Sequence, residues 1–568
     1  MASCQPALAD SKKHCSHCGF NPIRVSVHIP TPHPGPLPSE GRGNGCERLT
    51  PKNGGLLLPK TAKNYLMNEK NISVHTRRDF IRRAACAAVG TAAMTSAIRD
   101  LRFMNAAVAQ SNVTNYKALV CIFLAGGNDS NNLIVPTVTS EYNNYATIRQ
   151  PVLALPQGSL QTLDGYTDPA GHTFGLHPAC PELKTLFNEQ KLAVLFNAGT
   201  LVFPMTRAQY QGGILQKPPQ LFSHADQVTQ WQTSIPDQPP LTGWGGRCAD
   251  LLNAANTNNT ISLSVSIAGA NTFEIGNAVS QYAVSTSGAI AMQGVSGARL
   301  AALTNLLGLP YPNLQAKAYA GVAAHSINTG TLLNTAITNT APANYWNTNF
   351  PSTIVVPNGG TVGNSSLSAQ LKMVARLIEA GNRAAGSPTN GFGMKRQIFF
   401  CQVGGYDLHS GQTNYTTGSP NNVLIGAHAN LMAELSQSML VFQRAMEQLG
   451  LSNNVTSFTS SDFGRTFPSN GVGSDHGWGS HHLIVGGAVN GQKTYGKFPT
   501  LAVNGTDDTS TGRWIPTTAI DQYFARLATW FGVDNGNLAT VFPNLGRFET
   551  ASQTLNPSTL NLDFMKAP

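Results

Sequence analysis

Aspartate and histidine recur together in the second half of this 568-residue chain. The run Gly404-Gly405-Tyr406-Asp407-Leu408-His409-Ser410-Gly411-Gln412 sets a carboxylate and an imidazole two residues apart. In extended backbone that spacing puts both side chains on one side. Such a pair suits Zn, Mn or Fe, and the plainer alternative is a hydrogen-bonded loop. Ser461-Asp462-Phe463-Gly464-Arg465-Thr466 adds a second carboxylate and a guanidinium. The Arg465 fork fits a phosphate or sulfate group as well as it fits a structural ion pair. Asp475-His476-Gly477-Trp478-Gly479-Ser480-His481-His482 follows. His409, His476, His481 and His482 are four of the nine histidines beyond residue 109, and that density beside carboxylates points to metal ligation rather than packing.

Two clusters lie upstream. Gly126-Gly127-Asn128-Asp129-Ser130-Asn131-Asn132 follows an apolar run, so Asp129 is either an oxygen ligand or base, or the side chain of an Asx turn. In Leu221-Phe222-Ser223-His224-Ala225-Asp226-Gln227, Ser223 beside His224 suggests a nucleophile or a further ligand pair. Neighbouring side chains often diverge, and Ser223 with Asp226 three residues on also reads as a helix N-cap. The readings are compatible, because a hydroxyl at a helix N-terminus is well placed to meet an anion. The chain has no GxSxG elbow, no P-loop and no dinucleotide GxGxxG after a strand.

Something must hold these clusters in register. Residues 118–125 (ALVCIFLA) and 191–198 (KLAVLFNA) are continuous apolar runs, the pattern of strands buried on both faces. Residues 260–268, 396–403, 455–460 and 482–488 are further strand candidates. Helical periodicity marks 180–190, 367–380, 423–449 and 517–531. Residues 270–365, rich in Ala, Asn, Thr, Ser and Gly, read as an irregular insertion or cap subdomain. Strands alternating with helices predict an α/β fold with a mostly parallel sheet. Functional residues then gather just past the carboxyl ends of the strands, where most of these clusters fall.

Composition sharpens this. Charged residues are only 11% of the chain, which excludes a coiled coil, and no long apolar runs suggest multiple membrane spans. The net charge of +9 belongs wholly to residues 1–109, and the remainder carries 22 basic and 22 acidic residues. That balance leaves no electrostatic footprint for nucleic acid. Thr76-Arg77-Arg78-Asp79-Phe80-Ile81-Arg82 resembles a twin-arginine export signal. A weakly apolar stretch and Ala107-Val108-Ala109 complete it in the right order, predicting a signal peptide over 67–109 and cleavage after Ala109. The partners implied are the twin-arginine translocase and signal peptidase, and the location is periplasmic or secreted. Residues 1–66 resemble the translation of a repetitive intergenic element, so Met67 is the expected start. Cys15-Ser16-His17-Cys18 has half of a zinc-knuckle spacing and no second pair nearby. Of the later cysteines, Cys121 and Cys401 read as buried thiols, while Cys180 and Cys248 fall near loops where they could pair.

In their order, GGNDS, FSHADQ with Trp231, GGYDLHSGQ and SDFGRT followed by SDHGWGSHH resemble a bacterial family catalogued as domain of unknown function 1501. The resemblance spans 117–548, and the family in turn looks like a branch of the alkaline phosphatase and sulfatase superfamily. That implies an alkaline phosphatase-like three-layer sandwich over 110–568, with a divalent metal (Zn, Mn, Ca or Mg) at the strand ends. It implies Asp129, Asp407, His409, Asp462 and His476 or His481 as metal ligands. Ser223 is then the best match for the nucleophile and Arg465 for the group that steadies transferring charge. Phe463 stands where the superfamily carries a histidine, so one ligand is missing from the pattern.

Two functions follow from different classes. One is an exported metal-dependent hydrolase acting on a small anionic ester, phosphate or sulfate. The other is a non-catalytic exported protein that keeps the fold and binds another exported protein. Convergence of Asp129, Asp407, His409, Asp462 and His476 within about 5 Å of one point tests the metal reading.

Overall fold

Leu119, Val120, Ile122, Phe123 and Leu124 leave almost no surface exposed, so both faces of their strand are covered. Each such side chain stabilises the fold by about 1.5–3 kcal/mol through burial. They belong to strand β1 (Lys117–Leu124), the centre of a 10-stranded sheet. In the computed structural model the described residues are 113, 115–256, 261–290, 292–338, 349–357, 360–386, 390–548 and 562–567. All of them fall within one unit, Ile81–Pro568. The export signal, its cleavage pattern, the Cys15/Cys18 pair and the 1–66 leader lie outside the described residues.

The remaining strands of this sheet are β2 (Leu192–Gly199), β3 (Ser264–Ser266), β4 (Tyr282–Ser285), β5 (Gly288–Ala289), β6 (Arg396–Val403), β7 (Val455–Ser461), β8 (Ser480–Val485), β9 (Lys493–Tyr495) and β10 (Thr518–Ala519). Their order is β9-β2-β8-β7-β1-β6-β3-β4-β5, with β10 also on β2. Strand β1 pairs parallel with β6 and with β7, and β6 pairs parallel with β3. Strand β8 runs antiparallel to both β7 and β2. The sheet is therefore mostly parallel, with β8 as its reversed internal strand. That reversal brings the start of β8 to the edge where β1, β6 and β7 end.

The principal helices are α1 (Thr139–Leu153), α2 (Pro181–Asn188), α3 (His224–Thr233), α4 (Trp244–Leu252), α5 (Gly297–Leu307), α6 (Leu314–Thr338), α7 (Ser366–Asn382), α8 (Ala427–Gln448) and α9 (Ile520–Phe531). Helix α8 packs against both α2 and α7, and α3 packs against α4. Leu371, Val374 and Ile378 of α7 and Leu435, Met439, Phe442 and Met446 of α8 line the core, the spacing of one helix face.

Two expectations are corrected. The 270–365 stretch is not irregular: it contains short strands and the helices α5 and α6. Neither helix has a broad buried stripe (α5 buries no residue fully), which is why periodicity failed to reveal them. Cys180 and Cys248 do not pair. Cys121, Cys180, Cys248 and Cys401 are all free and buried. Cys180 precedes α2 with its sulfur against the Met432 carbonyl, while Cys248 sits inside α4.

Candidate metal centre

The loops after β1, β6 and β7 and the first residue of α3 meet at one place. His224 Nε2 lies 3.4 Å from Asp407 Oδ2, His476 Nε2 lies 3.3 Å from Asp407 Oδ1, and His409 Nε2 lies 3.2 Å from Asp407 Oδ1. His409 Nε2 and His476 Nε2 are 2.9 Å apart. Ligands on a tetrahedral Zn at about 2.0–2.1 Å stand roughly 3.3 Å from one another. The contacts that the three imidazoles make to the two oxygens of Asp407 are of that order.

Hydrogen bonding fixes which nitrogen faces inward. His476 Nδ1 donates to the Phe222 carbonyl at 2.8 Å. His224 Nδ1 donates to Asp462 Oδ2 at 2.6 Å, and His409 Nδ1 donates to Asp475 Oδ1 at 3.0 Å. A neutral imidazole with its proton on Nδ1 presents a bare lone pair at Nε2. The Nε2 atoms of all three rings thus face the Asp407 carboxylate. His224 Nε2 is buried without a hydrogen-bond partner, an orphaned acceptor that a metal would satisfy. The donor set therefore fits a divalent metal: ligand atoms of His224, Asp407 and His476 all lie within 4.8 Å of one another, and His409 flanks them against Asp407 and His476.

The surroundings stabilise the charged and neutral forms that ligation requires. Burial opposes ionisation of Asp407, but Arg465, 2.9 Å away, together with His224 and His409 holds its carboxyl below the ordinary value. The Asn470 amide, 3.0 Å from Asp475 Oδ1, lowers that carboxyl, with help from His409. Burial lowers the His476 imidazole, and His224, Arg465 and His409 nearby push the same way. Asp462 Oδ1 accepts from the Gly126 amide at 3.0 Å, which ties the β1 loop to the same carboxylate that orients His224.

The structure thus brings Asp407, His409 and His476 together and sets Asp462 one step behind them. Asp129 lies deeper, in an ion pair with Arg149 and a hydrogen bond from Gln412. Burial alone would raise its carboxyl, but Arg149, His428 and Gln412 outweigh burial and hold it low. His481 faces the core, where its Nδ1 accepts from the Asn197 amide at 3.0 Å and its ring packs on Phe196 and Phe498. Burial pushes His481 down to about 3, and His482, against Trp231 and Tyr523, is pushed down likewise. These two are core imidazoles. Arg465 is wholly buried, with Nη1 on Asp407 and Nη2 on the Ser474 carbonyl at 2.7 Å, so its fork is closed to a substrate. Ser223 takes the N-cap position of α3, but its hydroxyl donates to Asp226 Oδ2 at 2.6 Å instead of capping the backbone.

His224, which the Ser223-His224 dipeptide offers as part of a further ligand pair, joins this group although the family pattern does not call on it. Phe463 does not ligate. Its buried ring walls the centre, 4.8 Å from the His224 ring and 4.5 Å from the His476 ring. His224, from the start of α3, sets its imidazole against this ring in the loop after β7.

Residues 116–520 match the family model described as "Protein of unknown function (DUF1501)". No curated protein matches the chain. Among solved structures the chain is similar to Ps i-CgsB in complex with k-i-k-neocarrahexaose, at 9% identity over 75% of this chain and 74% of that one, with a TM-score of 0.29. It is also similar to a Bacteroides thetaiotaomicron protein from the metabolism of multiple glycosaminoglycans, at 11% identity over 67% and 69% of the two chains, with a TM-score of 0.26. Overlaps this loose carry no functional argument.

Proposed function

Since the chain belongs to the DUF1501 family, for which no activity is given, we propose from its own geometry that it is an exported metal-dependent hydrolase acting on phosphate or sulfate esters. One observation carries the reading: the Nε2 lone pairs of His224, His409 and His476 converge on Asp407. A set of three nitrogens and one carboxylate favours Zn, Mn or Fe over the oxygen-seeking Ca and Mg. A divalent cation held there would supply Lewis acidity and lower the pKa of a water or hydroxyl beside it.

The chain's own residues do the rest. Asp462, Asp475 and the Phe222 carbonyl lock the three rings in one tautomer, as second partners of ligating histidines do. Arg465 anchors Asp407 from behind. Ser223 is the candidate nucleophile, one residue before His224, and Asp226 is placed to take its proton. The alkaline phosphatase-like three-layer architecture agrees with the mostly parallel sheet. Export through the twin-arginine pathway, with cleavage after Ala109, completes the reading. A mature N-terminus at Gln110, lost on Arg77→Lys with Arg78→Lys, would support it.

The second reading, a non-catalytic exported protein, is favoured by Arg465, whose fork is spent inside the protein. Elemental analysis of the purified chain and an aryl phosphate and aryl sulfate screen separate the two. A bound transition metal with turnover that Asp407→Asn abolishes supports the hydrolase. Metal without turnover selects the binding protein, and neither metal nor turnover overturns the centre itself.

A further inference from the structure

We propose that Arg513 is the oxyanion-binding residue of this centre, holding the tetrahedral phosphoryl or sulfuryl group beside His476; the proposal rests on the metal-dependent hydrolase reading. Arg149 and Arg465 are both wholly buried, Arg149 against Asp129 and Arg465 against Asp407. Arg513 is different. Its Nε donates to the His476 carbonyl at 2.8 Å, and its guanidinium carbon lies 4.1 Å over the Phe222 ring. Neither Nη group has a hydrogen-bond or ion-pair partner among the described residues, and the side chain is part-exposed. One edge of the guanidinium is thus pinned while the other stays open.

Its mounting is rigid. The Arg513 amide donates to Asp508 Oδ1 at 2.9 Å, and the same carboxylate accepts from the amides of Asn504, Ser510 and Gly512. The segment Phe222-Ser223-His224 links every part of the arrangement. The Phe222 ring carries Arg513, its carbonyl fixes His476, Ser223 is the candidate nucleophile and His224 is a ligand. A guanidinium held flat by stacking and by one hydrogen bond loses little freedom when its remaining N–H groups grip an anion. Two parallel N–H donors suit the oxygens of a phosphoryl or sulfuryl group. In a body of balanced charge, the anion must be held by such a local group.

The test is calorimetric titration of the full-length, zinc-loaded protein with inorganic phosphate and, separately, inorganic sulfate. Zinc content and circular dichroism are recorded for each variant. Arg513→Ala is expected to keep its zinc and fold while weakening anion binding about 10- to 100-fold, the range for losing a charge-assisted pair. Arg513→Lys should recover only part of it, because an ammonium cannot offer the fork. The anion that titrates more tightly names the ester class. Anion binding by Arg513→Ala equal to wild type, with zinc retained, overturns the proposal, as does wild type that binds neither anion. If wild type takes up no zinc, the metal reading fails. The same titration on the metal-free pair still decides Arg513: weaker binding in the variant supports it and equal binding overturns it. If Arg513→Ala misfolds, Arg513→Gln, which can still bond the His476 carbonyl, takes its place in the same comparison.

Discussion

Asp462 Oδ2 lies 2.6 Å from His224 Nδ1, so in the proposed centre this carboxylate orients the His224 ring from behind. Loss of the ligand and loss of its orienting partner should therefore differ in degree. His224→Ala removes one of four donors and is expected to abolish stoichiometric zinc binding at micromolar metal. Asp462→Asn keeps the shape and weakens the hold on the ring, with an expected loss of 10- to 100-fold in affinity. Competition with a chromogenic chelator measures both. Equal losses in the two variants would place Asp462 in direct contact with the metal.

Gly126 joins the β1 loop to the Asp407 segment. A Cβ there would collide with the backbone nitrogen of Asp407, and its φ of +118° is one that L side chains rarely adopt. Gly126→Ala should therefore cost about 1–3 kcal/mol of stability. It should also displace Asp407 enough to lower zinc affinity. Gly404→Ala is the control, because a Cβ at Gly404 meets nothing within 4 Å. Urea denaturation and zinc titration of the pair check the point; two variants that behave alike would detach the β1 loop from the centre.

Glu274 gives a pH-dependent signature away from the metal. Burial pushes its carboxyl up to about 8. The folded chain keeps that proton while the unfolded chain releases it near its ordinary value. The stability that this protonated form contributes is thus full at low pH and is lost as pH rises toward 8. The slope is on the order of 1.4 kcal/mol per pH unit. Glu274→Gln mimics the protonated acid and should remove the loss. Its urea midpoint should equal wild type near pH 4.5 and exceed it at pH 8. His428 and His481, lowered by burial to about 4 and 3, slope the opposite way below their ordinary value, so the difference between variant and wild type is the quantity to read. A constant difference across pH would mean Glu274 ionises normally.

Strand β6 spans 396–403, the same residues that the apolar pattern marks, because a central parallel strand is buried on both faces and its sequence has little freedom. Asp407 and His409 were legible for a related reason: both follow β6 closely, so chain position nearly dictates space, while His476 lies in the loop between β7 and β8 just before β8 begins. Asp129 also follows a strand, yet the structure gives it to Arg149, a residue on α1 with no mark in the sequence. Likewise nothing local says that His481 turns inward. Residue type shows what chemistry a side chain can do, but which face of β8 it occupies depends on register, and one step of register reverses it. Arg513 was invisible for the same cause, since its value lies in its contacts with Phe222 and His476.

Ser223 decides whether the centre works by a protein nucleophile. Its hydroxyl makes no cap to the α3 backbone, so Ser223→Ala should leave stability and zinc content near wild type. The hydroxyl instead donates to Asp226 Oδ2 at 2.6 Å, a polarising contact suited to an attacking oxygen. If Ser223 attacks, turnover of the aryl ester should fall by about 1,000-fold or more, as removal of a nucleophile does. Asp226→Asn should lower it less, because the hydroxyl remains. Turnover undiminished in Ser223→Ala would transfer the attack to a water molecule and leave Asp226 without a catalytic role. Steady-state kinetics on the two variants, with zinc content measured on the same samples, reads the outcome directly.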